Sequence, residues 1–138
     1  MELKPPHVNS QITFFYYPDL EPAAAFYEQV MGLVKVEDQG WAKIYRVSGE
    51  QGNAFLGIVD GDRGFHQPQP KSAVLVTLVV EDVPGWYEHL KAHGVKMLTE
   101  LREYDDIRVR CFFCQDPGGY SLEIQEFLRP ELRPIFYP

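Results

Sequence analysis

The chain repeats one ordered pattern, and this repeat constrains its fold more than any other feature of the sequence. The stretches QITFFYYPDLEPAAAFYEQVMGLVKV and AVLVTLVVEDVPGWYEHLKAHGVKML each contain a β-rich apolar segment, Asp followed by an apolar residue, a proline, an amphipathic segment, Gly and Val-Lys. Asp19 recurs as Asp82, and Gly32 recurs as Gly94. A whole ordered pattern indicates duplication of a structural unit. We predict two modules, at about residues 10–65 and 70–128, joined by GDRGFHQPQP and followed by a Pro-rich tail at 129–138.

Each module is predicted to contain a strand, a helix and three further strands. The aromatic and β-branched residues that favour strands occur in eight segments, at about 11–17, 34–37, 41–47, 54–60, 73–80, 96–101, 107–114 and 121–127. A single module cannot bury both its sheet face and its helix. We therefore predict an α+β fold in which two βαβββ modules pair into a curved mixed sheet with a central cleft, as one domain over residues 1–138.

The two predicted helices have recognisable starts, ends and buried faces. Asp19 and Asp82 are of the residue type that caps helix N-termini, and Gly32 and Gly94 are of the type that ends helices. Helical spacing predicts that one set of residues faces the sheets: Leu20, Ala24, Tyr27, Met31, Val83, Tyr87 and Leu90.

Composition limits the partners of the chain. The formal net charge is −7, which disfavours nucleic acid or an anionic membrane surface as the main partner. The sequence has no apolar run of the roughly 20 residues that a membrane span needs, and MELKPPHVNS lacks the apolar core of a signal peptide. We therefore expect a cytoplasmic protein with no membrane or nucleic-acid partner.

Three segments resemble a known family. FYYPDLEPAAAFYEQVMGL and VTLVVEDVPGWYEHLKAHGV resemble the two module openings of the vicinal oxygen chelate superfamily. CQDPGGYSLEIQEF resembles the family's closing strand, usually written DPDGN-x-L-E-L. The superfamily holds glyoxalase I, bleomycin-resistance proteins and ring-cleaving dioxygenases, and the resemblance covers about residues 11–127. It implies the paired-module fold, a small organic ligand or substrate, and a homodimer, because family members commonly dimerise.

The resemblance also implies where a metal would bind. In the family's metalloenzymes a His, Gln or Glu lies seven residues before each capping Asp, and a Glu lies on each module's last strand. The corresponding residues here are Ile12, Leu75, Gly57 and Glu123, of which only Glu123 is a ligand. One carboxylate does not hold a divalent ion, which needs three or four protein ligands. We therefore expect no metal and no other cofactor.

Two other spacings suggest metal or redox chemistry, and both have simpler explanations. His89 and His93 are four residues apart on the second helix, but HLKAH offers no third ligand. Cys111 and Cys114 form a CxxC on a strand, where odd spacing points the thiols to opposite faces. We interpret the histidines as surface residues and the cysteines as packing residues.

Strand alternation predicts which residues contact a ligand. With a loop at 116–119, Gln115 pairs with Tyr120 and Glu123 pairs with Phe112, so that Arg110 lies diagonal to Glu123 in a possible ion pair. The sheet face away from the helices then lines the cleft. Its candidate ligand-binding residues are Phe14, Tyr16, Arg46, Phe55, Thr77, Arg108, Arg110, Phe112 and Glu123.

Three functions remain open from the sequence. The first is a metal-free protein that binds a small organic molecule: the arginines favour a carboxylate or phosphate ligand, whereas the net charge and the aromatics favour a cation. The second is a metal-dependent glyoxalase, isomerase or dioxygenase with ligands such as Glu123 and either His66 or His7 of a partner subunit. The third is a metal-free lyase or isomerase in which Glu123 is the catalytic base, its pKa raised by an apolar pocket. The tail LRPELRPIFYP is predicted to pack on the dimer partner.

Overall fold

The computed structural model describes residues 4–138, which form two compact units. The first unit ends at Pro68 and the second is Gln69–Pro138. Each unit contains one mixed sheet with a helix on one of its faces, so the predicted α+β class is confirmed. Among the residues described, no helix has the length and apolar character needed to cross a membrane.

The first unit has the predicted βαβββ order. Its strands are β1 (Gln11–Tyr17), β2 (Val34–Asp38), β3 (Ala42–Arg46) and β4 (Ala54–Asp60), and its helix α1 (Leu20–Ala25) continues as a π-helical segment, Phe26–Val30. The strand order in the sheet is β1-β4-β3-β2. The first and last strands are therefore neighbours, and they run parallel.

The second unit repeats this arrangement. It consists of β5 (Leu75–Val79), α2 (Val83–Ala92), β6 (Lys96–Met97), β7 (Arg102–Tyr104), β8 (Val109–Gln115) and β9 (Ser121–Phe127), then a 3₁₀ turn (Pro130–Leu132) and α3 (Arg133–Phe136). The strand order is β5-β9-β8-β6, with β7 also paired to β8. Here too the first strand lies parallel to the last, β9.

The helix caps and ends predicted from the repeat are confirmed. Asp19 accepts a hydrogen bond from the backbone N–H of Glu21, and Asp82 accepts one from Gly85. Gly32 and Gly94 follow the two helices with φ of 69° and 71°, a conformation that side chains with a Cβ disfavour. The duplicated Asp and Gly thus perform the same local task in both units.

The buried face of the first helix differs from the prediction. Tyr27 and Met31 are buried as expected, but Leu20 and Ala24 are only half-buried, and Phe26 is buried in addition. Ala23 is buried as well, so Ala23, Phe26 and Tyr27 form one stripe at the i, i+3, i+4 spacing of a helix face, shifted by one residue from the predicted stripe. The rings of Phe26 and Tyr27 contact each other in this stripe. Their centroids are 4.9 Å apart, edge to face.

Each helix covers one face of its own sheet. In the first unit this face includes the buried Tyr45, whose hydroxyl donates to Glu28 of the π-helical segment at 2.7 Å. In the second unit α2 packs on β8 and β9, and Tyr87 contacts the buried Phe112 edge to face at 5.0 Å. These contacts identify the helix-packed face of each sheet, and the helices leave the other face uncovered.

The predicted register of β8 and β9 is wrong by one residue. Glu123 lies opposite Phe113, not Phe112, because the loop has three residues rather than four. Asp116 and Tyr120 close this loop: the Asp116 carboxylate accepts from the N–H groups of Gly118 and Tyr120. Gly119 supplies the left-handed residue (φ 91°) typical of a three-residue hairpin loop.

The single strand predicted at 96–101 is two short strands, β6 and β7. Between them the ladder is irregular: the N–H groups of Leu98 and Thr99 both reach the carbonyl of Phe113. The Thr99 hydroxyl accepts from the N–H of Phe113. A side chain thus replaces a backbone partner and interrupts the strand.

The tail, which the sequence predicts to pack on a dimer partner, contacts its own unit. Tyr137 accepts a hydrogen bond from the N–H of Phe127 at 3.1 Å and donates to the carbonyl of Val80 at 2.8 Å, which joins the ends of β9 and β5. Phe136 stacks on Phe127 with ring centroids 4.3 Å apart. Ile135 remains 65% exposed.

We predict that Tyr137→Phe destabilises the protein by about 1–2 kcal/mol, because the Val80 carbonyl and the Phe127 N–H both lose their partner. Urea unfolding followed by circular dichroism measures the change. Arg133→Ala is the control, since its ion pair with Glu81 is exposed and contributes little. Equal stability of Tyr137→Phe and the parent protein would contradict a structural role for the tail.

Candidate functional site

Each unit offers a candidate site on the sheet face that its helix does not cover; we call these the first and second outer faces. Strand pairing places on the first outer face Ile12, Phe14, Tyr16, Ile44, Arg46, Phe55, Gly57 and Val59. It places on the second outer face Leu75, Thr77, Val79, Cys111, Phe113, Ser121, Glu123 and Gln125. The first is apolar and aromatic apart from Arg46, whereas the second contains several polar groups.

Phe14 covers Gly57 at the centre of the first outer face. The two residues are partners in the parallel pairing of β1 and β4, and a Cβ built on Gly57 would collide with the Phe14 ring. The glycine thus makes room for the ring. Phe14 and Ile12 are each still 40% exposed, so an apolar surface remains beside the covered glycine.

Arg46 lies at the edge of the same face, paired across the strands with Val34 and Phe55. Its guanidinium carbon is 5.5 Å from the centroid of the Phe55 ring, a cation–π contact. The Arg46 Nε is buried and has no hydrogen-bond partner among residues 4–138. A polar donor therefore lies unpaired next to the aromatic surface.

The other end of the first outer face is covered by the segment after β4. A Cβ on Gly64 would contact both Val59 and Tyr16, so the backbone passes close over these side chains. His66 lies edge to face with Tyr16 at 5.6 Å and is exposed. The candidate histidine is therefore placed beside Tyr16.

Glu123 lies on the second outer face between two neutral donors. The Thr77 hydroxyl donates to its carboxylate at 2.7 Å, and the thiol of Cys111 hydrogen-bonds it as well. Burial raises the pKa of Cys111 to about 11, and the Glu123 charge adds to this effect. The thiol therefore stays protonated at neutral pH and acts as a donor.

Three predicted site residues lie elsewhere as a result of the register. Phe112 is on the helix-packed face. Arg110 is also on that side of the sheet, where it forms ion pairs with Glu126 (3.3 Å) and Glu103 (3.1 Å) instead of Glu123. Arg108 lies exposed in the turn before β8 with φ of 52°, and its carbonyl accepts from Leu128. None of the three belongs to an outer face.

The two remaining candidate pairs lie where the sequence predicts them, the histidines on the surface and the cysteines in the interior. The rings of His89 and His93 lie 4.4 Å apart on the exposed side of α2, tilted by 46° to each other, and His93 Nδ1 contacts the carbonyl of His89 at 2.8 Å. Cys111 and Cys114 are both free and buried on opposite faces of β8. Burial raises the pKa of Cys114 to about 12, with a smaller effect of the Asp116 charge.

A concavity on the helix side of the first unit was not predicted. Its volume is about 600 Å³, and it is lined by residues of α1, the π-helical segment and the sheet, among them Glu21, Glu28, Trp41, Lys43 and Asp60. Sequence patterns do not reveal it, because it depends on how far α1 stands from the end of β4.

Comparison with known proteins identifies the family. The model of the Glyoxalase/Bleomycin resistance protein/Dioxygenase superfamily matches residues 5–124, which is most of the chain. The chain belongs to this superfamily. No curated protein matches it significantly.

Solved structures of this superfamily share the fold at low sequence identity. A glyoxalase/bleomycin resistance protein/dioxygenase from Nocardioides is 16% identical, with a TM-score of 0.73, covering 93% of this chain and 89% of that one. A lactoylglutathione lyase from Agrobacterium tumefaciens is 21% identical (TM-score 0.66; 89% and 96% covered). TioX from Micromonospora sp. ML1 is 15% identical (TM-score 0.70; 88% and 100% covered). At these identities the likeness concerns the fold alone.

The residues at the superfamily's metal positions do not fit a metal. Ile12 and Leu75 have hydrocarbon side chains, Gly57 is covered by Phe14, and the Glu123 carboxylate accepts from Thr77 and Cys111. Over residues 4–138, three or more His, Cys, Asp or Glu side chains nowhere come together in a way that could hold an ion. A divalent ion needs more donors than Glu123 alone provides.

We predict that Gly57→Ala destabilises the protein by about 1–3 kcal/mol, because the new methyl group displaces the Phe14 ring. In the Phe14→Ala background the same substitution should be neutral or stabilising, since alanine is the better strand residue once the ring is gone. A double-mutant cycle by urea unfolding measures this coupling.

Gly49→Ala serves as the control, because a Cβ there has nothing within 4 Å. A cost of Gly57→Ala that stays the same with and without Phe14 would show that the ring is not what the glycine accommodates.

Proposed function

We propose that this protein binds a small organic molecule on its outer faces without the metal ion of the superfamily's enzymes. The observation that supports this most directly is the packing of Phe14 on Gly57. The position at which the superfamily's last strand carries a metal-binding Glu is here part of an aromatic surface. The first outer face thus offers hydrophobic contact where a metalloenzyme offers ligands.

The composition of the first outer face supports the proposal. Small-molecule sites are mostly apolar with a few well-placed polar groups. Phe14, Ile12 and Phe55 supply apolar surface, and Arg46 supplies a polar group. Because Phe14 and Ile12 retain 40% of their exposure, a ligand that covers them gains hydrophobic free energy.

The experiment is a titration of chelator-treated, ¹³C,¹⁵N-labelled protein with phenylacetamide, a neutral aromatic fragment. We expect saturable NMR shifts at Ile12, Phe14 and Phe55, with a dissociation constant of about 10 mM for so small a compound. Phe14→Ala should weaken binding about fivefold, because the ring provides contact area. Elemental mass spectrometry of separate tag-free protein without chelator, before and after dialysis against divalent ions, should find less than about a tenth of an equivalent of any divalent metal.

Phe136→Ala is the matched control, since this aromatic side chain is 41% exposed but belongs to the tail of the second unit. It should leave fragment binding unchanged. About one equivalent of metal that survives dialysis would refute the metal-free proposal, and the absence of any shift on the first outer face would refute binding there.

A metal-free lyase or isomerase with Glu123 as catalytic base is a second candidate. It is favoured by the hydrogen bond from Thr77, which fixes the orientation of the carboxylate. Cys111 adds a second neutral donor, so the carboxylate has no cationic hydrogen-bond partner among those identified. A fixed carboxylate on a ligand-facing surface can remove a proton from carbon.

We predict for this candidate that the chelated protein in D₂O exchanges the acidic C–H protons of a panel of aldehydes and ketones, followed by ¹H NMR. Glu123→Gln should lower the exchange rate at least about 100-fold while thermal unfolding is preserved. Glu126→Gln is the control: it removes the same charge from the same strand, but its side chain pairs with Arg110 on the other face. No exchange by the parent protein, or equal exchange by the parent protein and Glu123→Gln, would refute catalysis by Glu123.

A metal-dependent glyoxalase, isomerase or dioxygenase remains the alternative that the metal analysis tests. The homodimer and the cytoplasmic location inferred from the sequence stay predictions. The exposed Ile135 beside the packed part of the tail is compatible with a dimer contact there.

A further inference from the structure

We propose that Arg46 forms an oxyanion subsite, so that the ligand of the first outer face carries a carboxylate or phosphate on an apolar or aromatic body. This inference rests on the proposed function and specifies the chemical class of its ligand. The subsite consists of the Arg46 guanidinium, the Phe55 ring below it and the apolar surface of Phe14 and Ile12 on the same face.

The unpaired Nε of Arg46 is the observation that requires an explanation. Buried polar atoms are nearly always hydrogen-bonded, because water is no longer available to replace a missing partner. This Nε is inaccessible to water and has no partner among the described residues. An acceptor supplied by a ligand would satisfy it.

Two other arginines, Arg110 and Arg133, show what a paired guanidinium looks like in this protein. Arg110 binds Glu126 and Glu103, and Arg133 binds Glu81 at 2.7 Å. Within residues 4–138 no carboxylate forms an ion pair with Arg46. Its neighbours across the strands, Val34 and Phe55, have no acceptor in their side chains.

The contact with Phe55 leaves the hydrogen-bond donors of Arg46 available to an anion. The guanidinium carbon lies over the Phe55 ring, and a cation–π contact engages the positive charge without using an N–H donor. A planar guanidinium with Nε available can donate two parallel hydrogen bonds to a carboxylate or phosphate. Lysine has no such planar donor pair.

The net charge of −7 does not exclude an anionic ligand. At physiological ionic strength the interaction between exposed charges is screened beyond about 8 Å. The immediate neighbours of Arg46, which are apolar and include no carboxylate in an ion pair with it among the described residues, therefore determine the binding of an oxyanion more than the net charge of the chain does. This favours the anionic alternative over the cationic one for the first outer face.

The experiment compares three ligands of similar shape: phenylacetate, phenyl phosphate and the neutral phenylacetamide. Each is titrated into chelator-treated, ¹⁵N-labelled protein, and the Nε–Hε signal of Arg46 is followed together with signals of Phe14 and Ile12. We expect at least one anion to bind about tenfold more tightly than the amide and to shift the Arg46 Nε–Hε signal. The two anions distinguish a carboxylate from a phosphate ligand.

Two variants test the role of the guanidinium. Arg46→Gln and Arg46→Lys should both remove the preference for the anion and leave the weak binding of phenylacetamide, because Lys keeps the charge but loses Nε and the planar donor pair. Arg63→Gln is the matched control: Arg63 also lies over a ring in the first unit, that of Trp41 at 5.6 Å, and its loss changes the net charge equally. It should retain the preference.

The outcomes separate this inference from the proposed function. Equal affinity for the anions and the amide, with shifts at Phe14, would overturn the oxyanion subsite and leave binding on the first outer face intact. An anion preference that survives in Arg46→Gln, or that is lost equally in Arg63→Gln, would also overturn it. No shift by any of the three compounds would overturn both proposals.

Discussion

The parallel pairing of the first and last strands in each unit determines where every candidate site residue lies. It brings β1 beside β4 and β5 beside β9, although a helix and at least two strands separate the partners in the sequence. In the first unit the pairing seats Phe14 on Gly57, and in the second it sets Thr77 against Glu123 at hydrogen-bond distance. The helices then cover one face of each sheet, so that the chemistry of the site is confined to the other.

The duplication gives two equivalent positions that carry opposite chemistry. Gly57 and Glu123 occupy corresponding places on the last strand of each unit, as Phe14 and Thr77 do on the first strand. In the first unit the Phe14 ring lies over Gly57, which has no side chain. In the second unit the Thr77 hydroxyl lies beside the Glu123 carboxylate. A Glu at position 57 would collide with Phe14, and a Phe at position 77 would remove the donor to Glu123. Each pair is therefore complementary as it stands, and a substitution at one member has to be accommodated by the other.

Much of this arrangement is predictable from the sequence because it depends on local signals. The capping Asp and terminal Gly residues place both helices, and β1, β4 and β9 have their predicted bounds. The register of β8 and β9 was not predictable from alternation, because Val109–Gln115 has large or apolar side chains at positions of both faces. The Asp116 carboxylate fixes the register by accepting hydrogen bonds from two N–H groups of the loop. Because the loop is one residue shorter than predicted, every side chain of β8 lies on the face opposite to the predicted one. That exchange removed Phe112 and Arg110 from the predicted site, whereas Phe14, Tyr16, Arg46, Phe55, Thr77 and Glu123 lie on the outer faces.

The corrected register also changes which arginine is available to a ligand. Had Arg110 faced Glu123, the two charges would have neutralised each other, and neither would have served a ligand. Instead Arg110 is held by Glu103 and Glu126, Glu123 is bonded by the neutral Thr77 and Cys111, and Arg46 lies over Phe55 with no ion pair among the described residues. A buried donor without a partner is costly to retain unless something else supplies the acceptor. The oxyanion that we propose for the first outer face would supply this acceptor, which the side chains of Phe55 and Val34 cannot.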